Sequence, residues 1–133
     1  MKKILQNTTI KNSIVGILMD SNDGDETLTL KNVQIYNNAI SGILARTGNV
    51  YGENVVINNS GQSSLACTIG GSYEFTHSTF SNYWSNNIRQ YPTVLINNYF
   101  SYNQNSTEIV EARDLKKAEF TNCIIDGSNT IEL

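Results

Sequence analysis

Three arginines, one histidine, two cysteines and one short acidic run are the residues of this 133-residue chain whose types could do chemistry. Arg46, Arg89 and Arg113 sit in the stretches ILAR, NIRQY and VEAR, each after an apolar residue. A guanidinium is a planar fork that matches a carboxylate, so a row of arginines suits an acidic ligand. Tyr91, two residues after Arg89, and Trp84 in the preceding bend could stack on a sugar ring. Glu111 offers another explanation, because an exposed Arg–Glu pair across strands needs no ligand and is worth little energy. The candidate binding residues are therefore Arg46, Arg89, Tyr91, Glu111 and Arg113, weighed against a face of ordinary surface ion pairs.

The remaining reactive groups carry less. In DSNDGDE, residues 20–26, the carboxylates of Asp20, Asp23 and Asp25 could hold Ca2+ on a bending loop. Gly24 comes one place too early for an EF-hand and no glutamate closes the loop, so a solvated acidic turn is the expectation, with no cofactor. Cys67 and Cys123 have no metal-ligand spacing and no disulfide framework. No paired carboxylates, nucleophilic triad or clustered metal ligands are evident, which argues against an enzyme. Asn7, Asn58 and Asn105 begin glycosylation triplets, which such an asparagine-rich composition produces by itself.

The elements that must position these groups are announced by a repeating hexad. It reads NTTIKN at 7, NVQIYN at 32, NVVINN at 54, HSTFSN at 77, NNYFSY at 97 and NCIIDG at 122. The units recur about every 20–25 residues, the mark of a solenoid. Ile10, Ile35, Ile57, Phe80, Phe100 and Ile125 form one expected core column. Strand alternation points the residues two places earlier inward as well. A second strand follows each hexad and a third precedes the next, with few of the tight turns that hairpins need. Parallel stacking of like strands, about 4.8 Å apart, is the consistent arrangement. Asparagine tolerates left-handed backbone dihedrals, so the flanking asparagines mark corners, and their amides can bond along the axis as a ladder. His77 takes an asparagine's place there, which makes it a ladder member before it is a base or a metal ligand.

The stretches IYNNAISGI at 35–43 and IKNSIVGI at 10–17 resemble the asparagine-rich repeat of the right-handed parallel β-helix, the pectate-lyase-like superfamily. The resemblance implies an all-β, right-handed parallel β-helix solenoid of about five coils, with three short strands per coil, over residues 1–133 as one domain. It also implies a segment of a longer β-helix protein at a cell surface or outside the cell. In that superfamily a ligand lies along the outer face of one stacked sheet. With Ile43, Leu65, Ile88 and Val110 inward, the outward columns there read Leu44, Ala66, Arg89, Glu111 and Asp20, Arg46, Thr68, Tyr91, Arg113.

The function expected is a carbohydrate-associated module, binding or degenerate lyase-like, with an acidic polysaccharide as partner. The alternative is a non-catalytic structural or protein-interaction segment, associating end to end or through flanking coils. Composition limits other partners: net charge is −3, with 39% apolar and 16% charged residues, and no run of one sign recruits nucleic acid or a membrane surface.

Overall fold

The computed structural model describes residues 3–20 and 26–133. Eleven strands follow one another, with no helix among the described residues: β1 (Lys3–Lys11), β2 (Val15–Asp20), β3 (Leu28–Asn38), β4 (Ser41–Ser60), β5 (Leu65–Thr76), β6 (Thr79–Asn82), β7 (Val94–Ile96), β8 (Tyr99–Gln104), β9 (Thr107–Ala112), β10 (Leu115–Thr121) and β11 (Ile124–Gly127). Nine belong to one parallel sheet system along the path β1-β3-β4-β5-β10, and they wind into a β-solenoid of about four turns. Like strands stack in register: Leu5 lies against Leu30, Leu30 against Gly52, Gly52 against Phe75 and Phe75 against Phe120.

Corners are made by single residues. Asn7, Asn32, Asn54, His77 and Asn122 all have φ between 49° and 53°. One left-handed residue turns the strand through a bend while the pairing resumes on either side, so β3 and β4 run through corners as continuous elements. Amides join these corners along the axis. Asn32 Nδ2 donates to Asn7 Oδ1 at 3.0 Å, Asn54 Nδ2 to Asn32 Oδ1 at 2.8 Å, and Asn122 Nδ2 meets His77 Nε2 at 3.3 Å. Asn12, Asn37 and Asn59 form the second corner in the same left-handed conformation.

Inside, Leu30, Val33, Ile35, Ile43, Val55, Ile57, Leu65, Phe75 and Phe80 have no exposed surface. The column narrows at Gly52, where a β-carbon would lie 2.3 Å from Phe75 Cδ1, so glycine in one turn makes room for phenylalanine in the next. Phe75 stacks on Phe120 with centroids 5.8 Å apart and meets Phe80 edge-on at 5.1 Å.

The expected coil beginning at Leu95 does not form, which is why the turns number about four and not five. Leu95 pairs with Ala66, and β10 stacks directly on β5. The intervening β8 and β9 form an antiparallel hairpin that projects from the solenoid. Phe100, expected in the core, is 51% exposed, and Asn97 lies outside the corner ladder. The inward assignments of Ile88 and Val110 also fail: both are exposed, and fully buried Val94 follows Leu65 instead. The cause is local. FSYN within YFSYNQ alternates as solenoid strands do, but Asn105 and Ser106 both adopt positive φ, 51° and 64°. Two such residues close a two-residue hairpin turn, whose twist matches antiparallel strands.

Candidate binding cleft

Inward packing fixes what faces out. Ile43, Ala45, Leu65 and Cys67 are fully buried, so alternation along β4 and β5 turns Leu44, Arg46 and Thr68 outward. Parallel register then places Asp20, Arg46 and Thr68 side by side in three successive turns. The hairpin supplies a facing wall of Phe100 and Tyr102 from β8, Glu111 from β9, and Arg113 just beyond it. Together they enclose a cleft of about 490 Å3, floored by Leu44, Thr47 and Ile69.

Within the cleft, Phe100 and Tyr102 are near-parallel, with centroids 6.1 Å apart at 26°. Phe100 lies directly opposite Glu111 in the hairpin. Arg46 Nη1 donates to Asp20 Oδ2 at 3.3 Å, a pair about half exposed on both sides. Such a pair contributes about 0–1 kcal/mol, so either group can exchange partners at little cost. Arg113 Nη1 donates to the Ala112 carbonyl at 2.9 Å.

The cleft floor is conformationally unusual. Thr47 and Ile69 have φ of 55° and 61°. Asparagine, or His77 in its place, fills the corners that flank the hexads, whereas a β-branched residue in that conformation is an outlier that costs about 1–2 kcal/mol. Two features hold the bend. Arg46 pairs with Thr68 but Gly48 with Gly71, so a bulge lies between them. Beneath it the buried Tyr73 hydroxyl donates to the Gly70 carbonyl at 2.9 Å and accepts from Gly48 N–H at 3.1 Å. Burial raises the Tyr73 phenol well above the usual tyrosine range, keeping it neutral as both donor and acceptor.

The cleft thus brings together three of the five residues expected to bind, Arg46, Glu111 and Arg113. Glu111 and Arg113 reach it on the hairpin and its exit, rather than on the stacked strand that sequence spacing suggested. Arg89 and Tyr91 lie elsewhere. Arg89 is 5% exposed and grips Glu132, with Nη2 2.6 Å from Oε1 and Nη1 2.9 Å from Oε2. It also donates to the carbonyls of Asn82 at 3.0 Å and Tyr91 at 2.7 Å. Its expected pairing with Glu111 is replaced by this internal clasp on the C-terminal segment. The Tyr91 ring is partly exposed while its carbonyl serves the clasp, accepting also from Asn129 Nδ2 at 3.1 Å. Trp84 Nε1 donates to Asn87 Oδ1 at 3.0 Å within its own loop, away from the cleft.

Phe100 and Tyr102 are the cleft residues that sequence reasoning assigned elsewhere. The sequence offered only a weak signal in Asn105, a residue that tolerates the left-handed dihedral a two-residue hairpin turn needs. Of the carboxylates considered for Ca2+, Asp23 and Asp25 lie outside the described residues, and Asp20 pairs with Arg46. Among the described residues no three acidic, histidine or cysteine side chains converge as a metal site. Comparison with family models, with curated proteins and with solved structures finds no match.

Proposed function

We propose that this solenoid is a carbohydrate-associated β-helix module, of the pectate-lyase-like kind that its asparagine repeat resembles, and that it binds an acidic polysaccharide without cleaving it. The observation that carries this reading is the pairing of the Phe100–Tyr102 rings with Arg46 and Arg113 around one cleft. Aromatic faces take the C–H face of a pyranose, guanidinium forks take its carboxylate, and Asp20 and Glu111 can accept its hydroxyls. A volume of about 490 Å3 lies within the range of small-ligand sites.

Titration calorimetry against polygalacturonate, alginate and a neutral glucan tests the proposal. Binding to an acidic polymer should weaken about tenfold or more with Arg46→Ala and with Phe100→Ala, which corresponds to about 1.4 kcal/mol each. Equal affinity for the neutral glucan, or no binding to any acidic polymer, would sink it.

A second reading, a structural or interaction segment, is favoured by the edges of the sheet. β1 and β10 end the stacking path, so each is paired along one side only among the described strands.

A further inference from the structure

The cleft does not stop at Arg113. Thr47 and Arg113 also wall a second recess of about 290 Å3 on the far side of the strained corner. Asn49, Ser72, Asp114 and Lys116 line it. Its character differs from that of the cleft: it presents no aromatic ring, and two cations face one carboxylate instead of two facing two.

The corner between the two spaces is shaped by backbone. Ile69, Gly70 and Gly71 are three consecutive residues at positive φ, of 61°, 71° and 118°. A β-carbon on Gly70 would lie 2.4 Å from the Arg113 carbonyl, and Gly71 N–H donates to the Asp114 carbonyl at 3.0 Å. These contacts bring the hairpin's exit close against β5, which sets Arg113 on the saddle and Lys116 beyond it. Strain of this kind persists where surrounding contacts over-determine it, here the Tyr73 hydroxyl, the Asn97 amide oxygen on Ile69 N–H at 3.3 Å and the Asp114 carbonyl.

We infer that the recess is a second subsite on the same ligand, reached over the Thr47–Arg113 saddle, and that it reads the carboxylate of a neighbouring sugar through Lys116 with Arg113. The inference rests on the proposed carbohydrate function of the cleft. The division of labour follows from the linings. The cleft stacks a ring and satisfies hydroxyls, whereas the recess supplies the surplus positive charge and the amide and hydroxyl groups that orient an anion. The recess therefore adds to the carboxylate recognition that Arg46 begins in the cleft, and its share of the selectivity needs a ligand long enough to occupy both spaces.

The test uses the full chain and four probes: galacturonate dimer and tetramer, and the same two oligomers with their carboxylates reduced to neutral galactose. In wild type the acidic tetramer should bind about tenfold tighter than both the acidic dimer and the neutral tetramer. Lys116→Ala should lower the acidic-to-neutral ratio of the tetramers several-fold, to that set by the cleft alone, and Lys116→Arg should restore most of it. Phe100→Ala should weaken all four probes together. A Lys116→Ala protein that keeps the full acidic preference overturns the recess while leaving the cleft proposal standing. Wild type that binds none of the four overturns both.

Discussion

At the scale of single residues, the clasp around Glu132 dominates. Burial by itself pushes this carboxyl up, but hydrogen bonds from Arg89, from the Asn129 N–H and from the Thr93 hydroxyl and N–H hold it down at about 2. Because the folded value lies below the ordinary one of 4.5, the stabilisation is complete above pH 4.5 and is lost as pH falls towards about 2. Urea unfolding across that window should show the loss, and Glu132→Gln should flatten it. Arg89→Ala leaves the carboxylate buried without its cation, and an unfolding midpoint lowered by the equivalent of about 3–5 kcal/mol is expected. Saccharide binding per folded molecule should be unchanged in that variant. Spacing alone made Arg89 look like a surface ligand residue; its true partner lies 43 residues away, across the long turn that carries the hairpin.

The corner asparagines yield a second residue-scale prediction, because backbone conformation and ladder bonding can be separated. Asn54 has φ of 52° and donates to Asn32. Asn54→Ala loses both features and should cost about 2 kcal/mol in denaturant unfolding, whereas Asn54→Gly keeps the dihedral and should cost about 1. Equal losses in the two variants would mean that the ladder bond carries all of the effect.

Among the elements, the hairpin is the one that breaks the repeat. Its neck is narrow: Arg113 N–H donates to the Asn98 carbonyl at 3.0 Å, so the chain leaves and re-enters the solenoid at nearly one point. Cutting out residues 99–112 and joining Asn98 to Arg113 should therefore preserve the solenoid's circular dichroism and change its melting temperature by less than about 5 °C. It should also abolish saccharide binding, since Phe100, Tyr102 and Glu111 leave with it. Melting that collapses instead would show the hairpin to be part of the fold.

This element also marks where the sequence stops being readable. The turns before it followed directly from the hexads, because Leu5, Leu30, Gly52 and Phe75 occupy equivalent places and alternation fixes which side each faces. FSYN within YFSYNQ alternates equally well, and alternation cannot distinguish a parallel partner one turn away from an antiparallel one two residues away. Arg46 on the first wall of the cleft was accordingly legible. Phe100 and Tyr102 on the second were not, for that wall exists only once the chain doubles back.

Across the whole molecule, contacts run between neighbouring turns, so stability is a sum of adjacent interfaces with weaker terms at the ends. Ile4 on β1 is 58% exposed and Ile124 on β11 is 61% exposed. Extending the observed register by one step would set Leu5 over Phe120, Ile10 over Ile125 and Lys11 over Asp126, pairing like with like in the core and opposite charges outside. Light scattering should then show mass growing with protein concentration, and Asp126→Lys should suppress the growth. A monomer at every concentration would leave that edge without a role for a second copy.

The asparagine ladder decides which way round such a contact must be made. In the turns it spans, the amide nearer the C-terminal end gives its proton to the one below: Asn32 to Asn7, Asn54 to Asn32, Asn122 to His77. The ladder is therefore a one-way street with unlike ends. Among the described residues the ladder leaves the Asn7 amide donor and the Asn122 amide acceptor facing outward along the axis, so two solenoids meeting at their Asn7 ends would set donor against donor. Only the arrangement in which all the molecules point the same way continues the ladder, and growth of that kind gives a polar filament rather than a closed pair.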